Sequence, residues 1–86
     1  MIYVIVSESC PACIKQKTAM TDSFFEDEYK VIFAGSEEFK EYENIVDAVP
    51  FLIIKDDQGN VKYKSLGFHD GQQLRQIEAG IRLGSS

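Results

Sequence analysis

The run F-L-I-I at Phe51–Ile54 is the most apolar stretch of the chain and offers no polar residue to solvent. A strand of that composition belongs in the interior of a sheet rather than at its edge. The β-branched run Ile2–Val6 reads as a buried strand for the same reason. Between and after these strands the periodicity changes. Pro11 stands where a helix takes its first residue, because its missing N–H costs nothing there and its φ is already helical. A helix is expected from Pro11 to about Asp22, with Cys13, Met20 and Phe24 near one face and Lys15 and Lys17 among its polar positions.

Tyr29–Ala34 is a second strand candidate, stopped by Gly35-Ser36. Ser36 is placed to cap a helix whose first turn holds Glu37 and Glu38, where the dipole favours anions. Phe39, Tyr42 and Val46 would form its apolar stripe. After Phe51–Ile54 the stretch D-D-Q-G-N is dense turn chemistry, and Val61–Leu66 pairs back with Lys62 and Lys64 facing outward. Asp70 suits the cap of a last helix, with Leu74, Ile77 and Ile81 facing inward. The order is β-α-β-α-β-β-α. It predicts an α/β fold, a four-stranded mixed sheet with three helices, in which the first two strands are parallel through a right-handed crossover and the last two form a hairpin.

At 86 residues the chain reads as one domain, residues 1–86, with 84–86 as a frayed tail. Hydrophobic residues make up 44%, enough for one compact core, and 27% charged residues argue against disorder. A net charge of −5 without a Lys/Arg stripe argues against a nucleic-acid partner. No apolar run approaches the roughly 18–20 residues of a membrane helix, and residues 1–6 lack the features of a signal peptide. A cytoplasmic protein is expected.

The chemistry concentrates in S-E-S-C-P-A-C at Ser7–Cys13, which holds both cysteines of the chain. The strand-to-helix junction puts Cys10 where first-turn N–H groups have no partner inside the helix. Those donors and the positive end of the dipole favour a thiolate. Cys13, one turn on, is placed to attack a mixed disulfide formed at Cys10. Pro11 stiffens the intervening turn and Ala12 adds no bulk. A structural staple is a poor alternative, since a loop of about four residues gains little from closure. A closed zinc site commonly takes four Cys or His ligands, whereas this chain has two cysteines and the single His69, so a site within one chain would need a carboxylate or an outside ligand, and a zinc or iron–sulfur site shared between two chains is the alternative. His69 by itself reads as a loop residue. A module that keeps the fold without turnover is a further alternative.

C-P-x-C after the first strand, V-P (Val49-Pro50) before the third and G-x-x-D (Gly67–Asp70) before the last helix resemble the thioredoxin superfamily in this order and spacing, and specifically a small glutaredoxin. The resemblance spans roughly residues 2–80. It implies a thiol–disulfide oxidoreductase with Cys10 as nucleophile, Cys13 as resolving thiol and no bound cofactor or metal. It implies that Pro50 is cis and faces the cysteines, and that the backbone of Val49 pairs with substrate. Gly67, His69 and Asp70 would border the carboxylate of glutathione, received by first-turn amides near His69 and Asp70. Glutathione is the implied reductant, disulfide-containing proteins such as ribonucleotide reductase are implied partners, and a monomer is expected. Ala12, Ser7 and Ala48 depart from the usual glutaredoxin Tyr, Lys and Thr, and a chain without tryptophan also departs from thioredoxin, whose reductase is the alternative electron source. Glu8, the acid nearest Cys10 in sequence, would oppose thiolate formation.

Overall fold

The computed structural model describes residues 1–84. Its elements are β1 (Ile2–Val6), α1 (Pro11–Ser23), β2 (Tyr29–Phe33), a 3-10 turn (Glu38–Glu41), β3 (Phe51–Lys55), β4 (Val61–Leu66) and α2 (Gly71–Gly84). One sheet runs in the order β2-β1-β3-β4. β1 pairs parallel with β2, and β3 lies antiparallel to both β1 and β4. Both of the most apolar runs therefore occupy interior positions.

Alternation along these strands divides the core in two. Ile2, Val4 and Val6 of β1, with Leu52 and Ile54 of β3, face the helices and meet Cys13, Met20, Phe24 and Leu74. Ile5, Ile32, Phe51 and Ile53 point to the opposite face and are covered by Tyr42 and Val46, with Tyr3 and Phe39 packed alongside. A strand buried on both sides leaves no face for polar residues, which is why neither run alternates.

The expected middle helix does not form. Its place is taken by the 3-10 turn Glu38–Glu41, so the described residues form two α-helices rather than three. Ser36 does reach the turn, its Oγ accepting from the Phe39 N–H at 3.4 Å, and Tyr42 and Val46 are buried as the stripe requires. Backbone bonds close mainly over three residues, as from Lys40 N–H to Glu37 O and from Tyr42 N–H to Phe39 O. Glu37 and Glu41 would repel each other at i,i+4, β-branched Ile45 and Val46 lie near its end, and a segment of this length is marginal as an isolated helix. The apolar side chains reach the sheet without a regular helix behind them.

Smaller differences lie at the ends. β2 stops at Phe33, although the Ala34 N–H still bonds Val6 O at 2.8 Å. α2 runs as far as Gly84, and Ser85 and Ser86 of the expected tail lie outside the described residues. The hairpin turn is organised by Asp56, whose Oδ1 accepts from the N–H groups of Gln58 and Asn60, both at 2.9 Å.

Register decides where the loops meet. Ile5 pairs with Phe51, and Phe51 pairs with Leu66. The exit of β1, the entry of β3 and the exit of β4 therefore lie side by side at one end of the sheet. The chain segments 7–10, 49–50 and 67–70 converge there.

The two helices also meet closely. Gly71, at the start of α2, is buried against α1: a Cβ there would run into the Ser23 side chain and lie 3.3 Å from Ala19 O. Gly80, farther along α2, has open space around it. Gly71→Ala should lower stability by about 1–3 kcal/mol through overpacking, while Gly80→Ala should raise it by about 0.5–1 kcal/mol. Urea midpoints of the two variants check this, and a neutral Gly71→Ala would refute the tight contact.

Candidate active site

Cys10 is the N-cap of α1. Its backbone is extended (φ −103°, ψ 112°) and Pro11 follows at the start of the helix. The Cys13 N–H is shared between Cys10 O at 3.1 Å and Cys10 Sγ at 3.2 Å. A sulfur thus occupies the capping position usually held by a serine or aspartate oxygen. Both thiols are free. They differ in access: Cys10 is partly exposed, whereas Cys13 is fully buried against the sheet.

Burial pushes the Cys13 thiol above its ordinary value, and the adjacent Cys10 side chain adds to the effect; the Ser7 backbone and Lys17 pull the other way. The pair is therefore asymmetric. The outer sulfur is partly open to solvent, and burial of the inner one favours its protonated form.

The other elements at this end of the sheet bring up the rest. The Val49–Pro50 peptide bond is cis. Val49 O lies 4.0 Å from Cys10 Sγ, and Pro50 O accepts from the Gly67 N–H at 2.8 Å. Gly67 takes φ +103°, a conformation that suits glycine. His69 is buried and its ring is engaged, with Nδ1 3.0 Å from Gly67 O and Nε2 3.1 Å from Ser65 Oγ. Asp70 accepts from the Gln73 N–H at 2.8 Å and so caps α2. Ala12 is half-buried and Pro11 exposed in the turn between the cysteines, and Glu8 is exposed in the loop before them.

Cys10, Cys13, Val49, Pro50, Gly67 and His69 thus form one connected group, while Asp70 serves the helix that starts beside it. The His69 N–H already donates to Gln16 Oε1 at 2.8 Å, so it is not an open donor for a carboxylate. Among the described residues no three His, Cys, Asp or Glu side chains come together as metal donors.

Gln16 is the residue that sequence reading passed over. It is fully buried in α1 and its Nε2 donates to His69 O at 2.9 Å. A signal was present: Cys13, Gln16 and Met20 are spaced by three and four, so the periodicity that turns the first and last inward turns Gln16 inward too.

An α/β sheet with two helices on one face, a C-x-x-C pair opening the first helix and a cis proline beside it define a thioredoxin-like fold. A comparison with solved structures bears this out at the level of the fold: the chain is similar to a crystal structure of thioredoxin from Aeropyrum pernix, with a TM-score of 0.71 and 16% identity over 93% of this chain and 73% of that one. No family model and no curated protein matches the sequence. No helix among the described residues is long and apolar enough to cross a membrane.

The asymmetry of the thiols has a direct readout. With limiting iodoacetamide on the reduced protein at about pH 7.5, peptide mapping should find Cys10 labelled about tenfold or more faster than Cys13. In Cys10→Ser, where burial still acts on Cys13, the labelling rate should keep rising as pH passes 9.0, the ordinary thiol value. Equal labelling of the two sulfurs at pH 7.5 would contradict the assignment.

Proposed function

We propose that this protein is a cytoplasmic dithiol–disulfide oxidoreductase of the glutaredoxin type, reducing protein disulfides or glutathione mixed disulfides through Cys10 and Cys13. The observation that carries the reading is the Cys13 N–H aimed at the sulfur of Cys10, on the accessible side of a buried partner thiol.

The reaction follows from that arrangement. The Cys10 thiolate attacks one sulfur of a substrate disulfide, forming a mixed disulfide and releasing the other sulfur as a thiolate, which takes up a proton. Cys13 then loses its proton and attacks Cys10 Sγ. The Cys10–Cys13 disulfide forms as the second substrate sulfur leaves. Two electrons have passed from the protein to the substrate, and two molecules of glutathione, or one dithiol reductase, return them. Extended substrate backbone would lie along Val49, whose carbonyl is beside the attacking sulfur. Glutathione as reductant and disulfide-bearing partners such as ribonucleotide reductase belong to this proposal.

One observation favours supply by a thioredoxin reductase as the second reading. The His69 amide is engaged by Gln16, which removes one donor that a glutathione carboxylate would use. Comparing turnover coupled to glutathione and its reductase with turnover coupled to thioredoxin reductase separates the two; a rate with the second system alone would reject the glutaredoxin type.

Substitution tests the roles. Cys10→Ser should abolish disulfide reduction, by at least roughly 10³-fold in kcat/KM. Cys13→Ser should keep glutathione mixed-disulfide reduction yet lose protein-disulfide reduction, because only the latter needs an internal resolving thiol. Equal loss of both activities in Cys13→Ser would contradict the assigned roles.

A further inference from the structure

The described residues bury two polar side chains, Gln16 and His69, and these two meet. Gln16 grips backbone rather than side chain: Oε1 accepts from the His69 N–H at 2.8 Å and Nε2 donates to His69 O at 2.9 Å. The orientation of the amide is unambiguous, since a backbone N–H requires an acceptor and a carbonyl requires a donor. The His69 ring extends the clasp. Gly67 O can only accept, so Nδ1 carries a hydrogen and donates to it at 3.0 Å, while Nε2 lies 3.1 Å from the Ser65 hydroxyl.

Followed from residue to residue, these bonds form a circuit. It starts in α1 one turn beyond Cys13, crosses from Gln16 to His69, and returns through Gly67 to Pro50 O. The cis bond leads to Val49, whose carbonyl faces Cys10 Sγ at 4.0 Å, and the Cys13 amide on that sulfur closes the loop. Packing alone does not account for a glutamine here. A leucine would fill an interior position without the cost of burying an amide, so the polar choice is explained by the bonds it makes.

We propose that Gln16 is a positioning residue for disulfide exchange: it sets the place of segment 67–70 and, through Pro50, the backbone of Val49 relative to Cys10. The proposal rests on the redox reading above. It separates two properties of the site. The Cys13 amide that meets Cys10 Sγ belongs to α1 and does not need Gln16. The track on which a substrate chain lies does need it.

Gln16→Leu tests this with insulin as the disulfide substrate and dithiothreitol as the reductant, so that no natural electron source is assumed. KM for insulin should rise about tenfold, a loss of the size that small misplacement of a binding surface produces. The iodoacetamide rate at Cys10 should stay within about twofold of the parent protein's. A lower urea midpoint with KM unchanged would mean that Gln16 only holds the fold, and would overturn the proposal. If Gln16→Leu does not fold, Gln16→Glu decides. An ionised carboxylate cannot donate to His69 O, whereas the protonated acid can, so KM in that variant should return toward the parent value as pH falls, with the parent protein as control over the same range. A pH-independent difference would overturn the positioning role. Failure of the redox reading is distinct, since the parent protein itself would then leave insulin unreduced, and the positioning role would fall with it.

Discussion

Burial of β1 and β3 on both faces is the constraint from which the rest of the structure follows. Neither strand can slip by one residue without exchanging its two sets of side chains between cores that differ in shape: Met20, Phe24 and Leu74 on one side, Tyr42 and Val46 on the other. The register Ile5 with Phe51 is held in this way, and it places the exit of β1 next to the entry of β3. Cys10 and Val49, 39 residues apart in sequence, are neighbours for that reason.

The site inherits its asymmetry from the same frame. Cys13 points into the helix-side core, where burial pushes its thiol above the ordinary value; Cys10, at the helix start, keeps part of its surface in solvent. A single backbone N–H then meets the outer sulfur. Dithiol exchange needs this order, because the inner thiol has to wait for a mixed disulfide before it acts. The polar circuit through Gln16, His69, Gly67 and Pro50 ties the reacting turn to the surface beside it, in a region where the surrounding core is otherwise apolar.

Local signals gave the strands and both long helices because each rests on short-range physics. Apolar runs mark β1 and β3, Pro11 marks the start of α1, and Asp70 marks the start of α2. The middle helix misled because its apolar spacing was real while its backbone preference was weak. Tyr42 and Val46 are buried as the spacing required, yet repulsion among the acids and the shortness of the segment leave only a 3-10 turn. Hydrophobic periodicity reports which side chains go inside, not which backbone carries them there.

The sequence by itself determined the two buried strands, the helix that opens at Pro11 and the pair Cys10 and Cys13 within its first turn, since all of these depend on residues close along the chain. Only the tertiary structure decided that the His69 amide is committed to Gln16 and that Gly67 bonds to Pro50. Those facts join residues 17 to 53 positions apart. Their cause is the strand register and the seating of the helices on the sheet, which no local pattern encodes.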